Sequence, residues 1–217
     1  MRVLGLTGSV GSGKSHVSDY LSSLGARIVD GDKISHALTA PGGSALPDIR
    51  RVFGDSVFHS DGTLNRKALA GIVFSSDDMR SQLNAVIQPM ILDEIHAQME
   101  KARTDQCPVC VLDMPLLFEE HLDTLCDSIW CVYLPQELQI RRIMERDGCS
   151  ASDALARIHA QMDAREKANR SHVVIDTSGT FEETEAQVLP CYQRELRLSA
   201  EKGDASYAGT ACQTPQV

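Results

Sequence analysis

Val3-Leu4-Gly5-Leu6-Thr7-Gly8-Ser9-Val10-Gly11-Ser12-Gly13-Lys14-Ser15 reads as a short buried strand, a glycine-rich turn and the start of a helix. Gly8 to Ser15 has the spacing of a phosphate-binding loop, or P-loop, with four residues between Gly8 and Gly13 and Lys14-Ser15 closing it. The chemistry accounts for the spacing. Glycines let the backbone curl so that several N–H groups converge on an anion. A helix that starts there adds its free N–H groups and its positive end. Gly8, Ser9, Val10, Gly11, Ser12, Gly13, Lys14 and Ser15 are therefore the candidate nucleotide cradle. Lys14 would place a charge on the terminal phosphates and the Ser15 hydroxyl would ligate Mg²⁺. Val17, Tyr20, Leu21 and Leu24 follow at helical spacing, and Gly25 is a suitable stop.

Bulk composition narrows the class. The chain has 217 residues, 42% hydrophobic and 24% charged, which suits one α/β domain with insertions. No apolar run approaches the roughly 20 residues that span a bilayer, and Met1-Arg2 leads straight into the first strand without a signal-peptide pattern. The expectation is a cytoplasmic protein with no membrane partner. A net charge of −9 argues against nucleic acid as a partner, so an anionic substrate would be held by local charges. The seven cysteines are odd in number and scattered, which reads as reduced thiols. Cys107-Pro108-Val109-Cys110 has zinc-like spacing but lacks a second ligand pair and runs into an apolar strand.

Working outward, Ala26 to Val29 reads as a second strand ending in Asp30-Gly31-Asp32, carboxylates at the sheet edge where α/β proteins place ligands. Residues 33 to about 105 are mostly helical in pattern, more than an ordinary crossover needs, and read as a substrate-binding insertion. Within it Asn65 is a candidate cap, and Pro89 is expected to kink or split a long helix. Pro108 to Leu112 reads as a third strand followed by Asp113, the position of a metal-partner carboxylate. Ser128 to Leu134 reads as a fourth strand or a buried helix. His172 to Ile175 is a fifth, ending at Asp176-Thr177-Ser178-Gly179, with Thr180 and Glu183 boxing a last helix to about Leu198. The tail 199–217, with an exposed Cys212, is expected to be disordered.

Arg142 and Arg146 lie four apart on one helical face after the fourth strand, and Ser150 with Asp153 resembles a capping box for the next helix. Paired arginines on a helix are most often a solvated face, and the segment from about 137 to 170 is only slightly basic. Its position after the fourth strand suits a lid over phosphates. His16 falls at the rim of the nucleotide site, and Asp176 to Gly179 fall near the adenine, by their places at the end of the loop and of the fifth strand.

With these pieces in order, the sequence resembles the dephospho-coenzyme A kinases from residue 3 to about 198. The resemblance is carried by Gly5 to Ser15, Val29-Asp30-Gly31-Asp32, Phe53-Gly54 and Asp61-Gly62-Thr63-Leu64-Asn65-Arg66 with Leu69 and Phe74. It continues through Leu83-Asn84 with Pro89, Pro115 to Glu119, and Gln139 to Gly148. Ala156-Arg157-Ile158 with Gln161-Met162, Lys167, and Val174-Ile175-Asp176 with Gly179 complete it. His16 stands where the family usually has Thr, and Gly31, Gln88, Ser171-His172 and Thr177 also depart from its pattern.

The resemblance implies a P-loop-type three-layer α/β sandwich with a mainly parallel five-stranded sheet. The core would be 1–32, 106–136 and 171–198, the helical CoA-binding insertion about 33–105 and the lid about 137–170, all one kinase domain over 1–198. It implies phosphorylation of the ribose 3′-hydroxyl of dephospho-CoA by ATP with Mg²⁺, the last step of CoA synthesis. Asp32 would orient the hydroxyl and take its proton, or organise Mg²⁺ through water, with Asp113 as a second metal candidate. Lys14 would bridge the phosphates, and Arg142 and Arg146 would close over the γ-phosphate. A monomer or small homo-oligomer is expected. Two other readings stand beside this one: a kinase of another nucleotide-like or sugar substrate, and a non-catalytic nucleotide-binding module.

Overall fold

Five strands form one sheet in the order β2-β3-β1-β4-β5 in the computed structural model, which describes residues 1–208 apart from the side chains of Phe74 and residues 202–208. The strands are β1 (Arg2–Thr7), β2 (Arg27–Asp30), β3 (Val109–Asp113), β4 (Ser128–Tyr133) and β5 (Val173–Asp176). Pairing of β1 with β3 and β4, and of β4 with β5, is parallel. Strands buried on both faces read as continuous apolar runs, which is why Val109-Cys110-Val111-Leu112 lacks alternation. Of the two readings of Ser128 to Leu134, strand prevails, because Leu4 to Thr7 pair with Ser128 to Cys131.

The helices are α1 (Lys14–Ser23), α2 (Gly31–Leu38), α3 (Leu46–Phe53), α4 (Arg66–Ser75), α5 (Asp77–Thr104), α6 (Gln136–Asp147), α7 (Ala151–His159), α8 (Ala164–Arg170) and α9 (Phe181–Ala208). Two compact units result: Met1–Val29 with the described residues from Ala102 onward, and Asp30–Lys101.

In the sheet unit, alternate strand residues Leu4, Leu6, Val109, Val111, Trp130 and Val132 pack against Val17 and Leu21 of α1 and Val188 and Tyr192 of α9. Helix α8 packs against β4 from the opposite face, where the buried Lys167 lies near Cys131. Burial pushes the thiols of Cys110 and Cys131 up to about 11 and that of Cys126 to about 12. Cys107 and Cys110 are free thiols.

The last helix runs past Leu198. Buried Ser199 donates to the Pro108 carbonyl at 2.7 Å, and buried Glu195 pairs with Arg2 at 2.7 Å, so the helix gains tertiary partners that its periodicity alone did not register. Residues 209–217, and with them Cys212, lie outside the described residues, as does the side chain of Phe74.

The second unit is all helical apart from one bridge between Phe58 and Leu64. Its core is Ala45, Ile49, Phe53, Val57 and Leu69. Asn65 caps α4 through the Ala68 N–H, and Arg66 donates to Thr39 Oγ1 at 2.7 Å. Pro89 does not split α5, which is continuous on both sides of it. A proline removes one helical N–H, but Leu83, Val86, Ile87 and Met90 all pack on this core and hold both halves in place. Among the described residues no helix is long and apolar enough to cross a membrane.

Candidate functional site

The phosphate loop leaves β1 at Thr7, whose hydroxyl donates to the Pro115 carbonyl at 3.0 Å. The loop is tightened by Ser12 N–H donating to the Ser9 carbonyl at 3.0 Å. Gly13 takes φ 82°, a left-handed conformation that side chains avoid, and forms the N-cap of α1. No side chain caps that helix and its first turn holds no acidic residue, so its N-terminal N–H groups keep their capacity for an anion. The hydroxyls of Ser9 and Ser12 are buried and without a hydrogen-bond partner among the described residues. Buried polar groups are ordinarily paired. These orphaned hydroxyls and the uncapped helix fit a polyanion such as a nucleotide's phosphates.

Lys14 Nζ forms an ion pair with Asp113 Oδ1, and both side chains are largely buried. Asp113 is the last residue of β3 and pairs in register with Leu6, which brings its carboxylate to the loop. Ser15 follows Lys14 and is exposed. A hydroxyl and a carboxylate are hard oxygen donors of the kind Mg²⁺ takes.

Arg142 of α6 also reaches the loop. Its Nη2 donates to the Thr177 carbonyl at 2.6 Å, and its Nη1 lies 3.4 Å from where a Cβ on Gly13 would stand. Arg146 does not converge there. It forms a two-pronged contact with Asp147 at 2.7 and 2.9 Å, and Arg157 joins the same carboxylate at 2.6 Å. The hydrogen bond from Arg146 holds the Asp147 carboxyl below its usual range.

His16 stacks on Phe181 with ring centroids 4.2 Å apart, and its Nε2 is 3.3 Å from Glu185 Oε1. Asp176 is exposed and accepts from the Ser178 N–H at 2.7 Å. Gly179 lies against the Thr180–Glu183 capping pair, whose two hydrogen bonds are both present, as are both bonds of the Ser150–Asp153 box. Asp30 and Asp32 separate in role. Asp30 caps α2 by accepting from the Lys33 N–H at 2.9 Å, whereas Asp32 lies exposed in the first turn of that helix, in the second unit.

Several residues around the loop carried no role in the sequence reading. Gln139 and Gln161 both bond the Val10 backbone. Thr177 Oγ1 donates to the Ser12 carbonyl at 2.6 Å. Lys167 is fully buried, donates to the Pro115 carbonyl and pairs with Glu119 at 2.8 Å; Glu119 also accepts from the Met162 N–H at 2.9 Å. Burial works to raise the Glu119 pKa, but the hydrogen bonds from Lys167 and Met162 outweigh it and leave the carboxyl below its usual range. For Gln139, Gln161, Lys167 and Glu119 the one signal was their place within matching motif stretches, whereas Thr177 stood out only as a departure from the family pattern.

Comparison with known proteins agrees in one direction. The family model described as dephospho-CoA kinase matches residues 2–183. A dephospho-CoA kinase of Carboxydothermus hydrogenoformans is 41% identical over 192 residues, covering 88% of this chain and 93% of that one. One of Symbiobacterium thermophilum is 44% identical over 188 residues, covering 87% and 79%. Among solved structures, a Thermus thermophilus protein is similar with a TM-score of 0.79 at 33% identity, over 90% of this chain and 97% of that one. A dephospho-CoA kinase of Campylobacter jejuni shares the fold, with a TM-score of 0.61 at 24% identity over 89% and 97%.

Proposed function

The chain belongs to the dephospho-CoA kinase family, and from that premise we propose that it transfers the terminal phosphoryl group of ATP to the ribose 3′-hydroxyl of dephospho-CoA, releasing coenzyme A and ADP. The observation that carries the reading is the Lys14–Asp113 pair beside an uncapped helix N-terminus and two orphaned serine hydroxyls. A nucleotide's phosphates would satisfy Lys14, the helix N–H groups and the two hydroxyls together, and a bound Mg²⁺ would take the Asp113 carboxylate.

Phosphoryl transfer asks a protein mainly to align groups and offset charge. Residues Gly8 to Ser15 hold the phosphates, through the loop N–H groups other than those of Val10 and Ser12, which the protein itself engages. Lys14 exchanges its bond to Asp113 for the β- and γ-phosphate oxygens. The Ser15 hydroxyl and the Asp113 carboxylate are the oxygen donors this chain offers to Mg²⁺, which when bound offsets phosphate charge. Asp32 orients the acceptor hydroxyl and takes its proton as the new P–O bond forms and the bond to the ADP oxygen breaks. Arg142, already beside the loop, places a planar guanidinium on the developing charge, and Arg146 joins it on release from Asp147. Asp176 and Gly179, with His16, border the nucleoside end.

The test is ADP release from ATP and Mg²⁺ with and without dephospho-CoA, with the product examined for a new 3′-phosphate. Acceptor-dependent release with that product is expected. Turnover with some other alcohol in a substrate panel, and none with dephospho-CoA, would overturn the acceptor assignment.

A further inference from the structure

Val10 belongs to the phosphate loop by sequence, yet its surroundings are those of α6 and α7. Its side chain packs against the cluster of Ile143, Ala154 and Ile158. Its peptide groups are gripped from two sides. The Val10 N–H donates to Gln161 Oε1 at 2.9 Å, and the Val10 carbonyl accepts from Gln139 Nε2 at 2.6 Å. Gln139 lies in α6 and is 1% exposed, and Gln161 follows α7. Gly11, next in the loop, approaches Ile143 so closely that a Cβ would meet it at 2.7 Å, and its φ of +77° is one that side chains rarely adopt. Beyond Gln161, the Met162 N–H is held by Glu119, itself paired with the buried Lys167.

The two bonds run in opposite directions: one amide must accept and the other must donate. Glutamine offers both functions, and Val10's own donor and acceptor fix how each amide faces. Donors set in place beforehand cost no reorganisation when an anion arrives.

We infer that Gln139 and Gln161 are positioning residues for nucleotide binding, which clamp the Val10 peptide so that the phosphate loop and helices α6 and α7 form one preset unit. The inference rests on the phosphate-loop reading above.

Bond direction gives the test. Four folded variants, Gln161→Glu, Gln161→Met, Gln139→Glu and Gln139→Met, are compared for ADP affinity by calorimetry, for hydrogen exchange of the Val10 amide and for KM against kcat. Gln161→Glu keeps an acceptor, so ADP affinity stays within about twofold of the parent and the Val10 amide stays protected. Gln161→Met and both Gln139 variants bind ADP about tenfold more weakly, as expected when a buried polar group loses its partner, and raise the KM for ATP more than they lower kcat. The Gln139→Glu carboxylate faces a carbonyl and does no better than Met.

If the two glutamate variants shift ADP affinity alike, added charge and not bond direction governs it, and the clamp is overturned. Parent-like affinity in both methionine variants overturns it as well. A parent that binds no ADP defeats the nucleotide reading instead, and the exchange of the Val10 amide in the variants tells that failure from failure of the clamp.

Discussion

The Thr177 hydroxyl donates to the Ser12 carbonyl at 2.6 Å, while the Thr177 carbonyl accepts from Arg142 at 2.6 Å. One residue at the exit of β5 thus touches both the phosphate loop and the arginine beside it. Thr177→Val keeps the bulk and removes the hydroxyl, leaving the buried Ser12 carbonyl without this donor. The variant should lose about 1–2 kcal/mol of stability and raise the KM for ATP, with Thr177→Ser close to the parent. Urea unfolding and steady-state kinetics check both.

Lys14→Ala removes the charge proposed to meet the phosphates and leaves Asp113, 4% exposed, without its counter-ion. A fall in kcat of at least ~10² is expected from losing one contact to transition-state charge. Near-normal turnover would reject the cradle role.

Asp32→Asn keeps the shape of an exposed residue and removes the proposed base. ATP binding should persist, measured by calorimetry, while transfer to dephospho-CoA falls by about 10² or more. Loss of ATP binding together with high residual turnover would assign Asp32 elsewhere.

Arg142→Lys replaces a planar fork with a point charge and should lower kcat about tenfold or more. Rates equal to the parent would return Arg142 to a role confined to its bond with Thr177.

Glu119 makes stability depend on pH. Its folded pKa lies below the unfolded value, despite burial, because Lys167 and Met162 bond the charged form. The stabilisation is therefore complete above the unfolded carboxyl pKa and is lost as pH falls through the folded one. Thermal unfolding from pH 7 to pH 3 should show this acid loss, and Glu119→Gln should lessen the slope while lowering the Tm at pH 7.

The strands, the phosphate loop and the caps were legible because each is a local pattern. Buried parallel strands are apolar runs, Gly8 to Ser15 is a spacing, and Asn65, Ser150 and Thr180 each stand three residues before the group they bond. The split expected at Pro89 does not occur, because the proline's local cost was visible in the sequence and the packing that offsets it was not. Likewise the extent of α9 depends on Ser199 and Glu195 meeting Pro108 and Arg2 across the fold. At the site, Lys14, Asp113 and Arg142 could be picked out by residue type and strand position. The roles of Gln139, Gln161, Thr177 and Lys167 could not, because each bonds a backbone group more than fifty residues away (Gln139 and Gln161 to Val10, Thr177 to Ser12, Lys167 to Pro115), and such a bond leaves no trace in periodicity or spacing.

The strand that carries the phosphate loop lies in the middle of the sheet, between β3 and β4. Of the five strands it is also the first to leave the ribosome. Its pairing partners, Val109 to Asp113 and Ser128 to Cys131, are translated more than a hundred residues later. At roughly 5–20 residues per second, the nascent loop waits about 5–25 s with neither neighbour in place. The helical unit from Asp30 to Lys101, with its own core of Ala45, Ile49, Phe53, Val57 and Leu69, is complete in the growing chain before that wait ends. Synthesis thus completes the part expected to hold the acceptor before the sheet around the proposed phosphate loop, and a ribosome stalled before Ser128 would present the helical unit on an unfinished kinase.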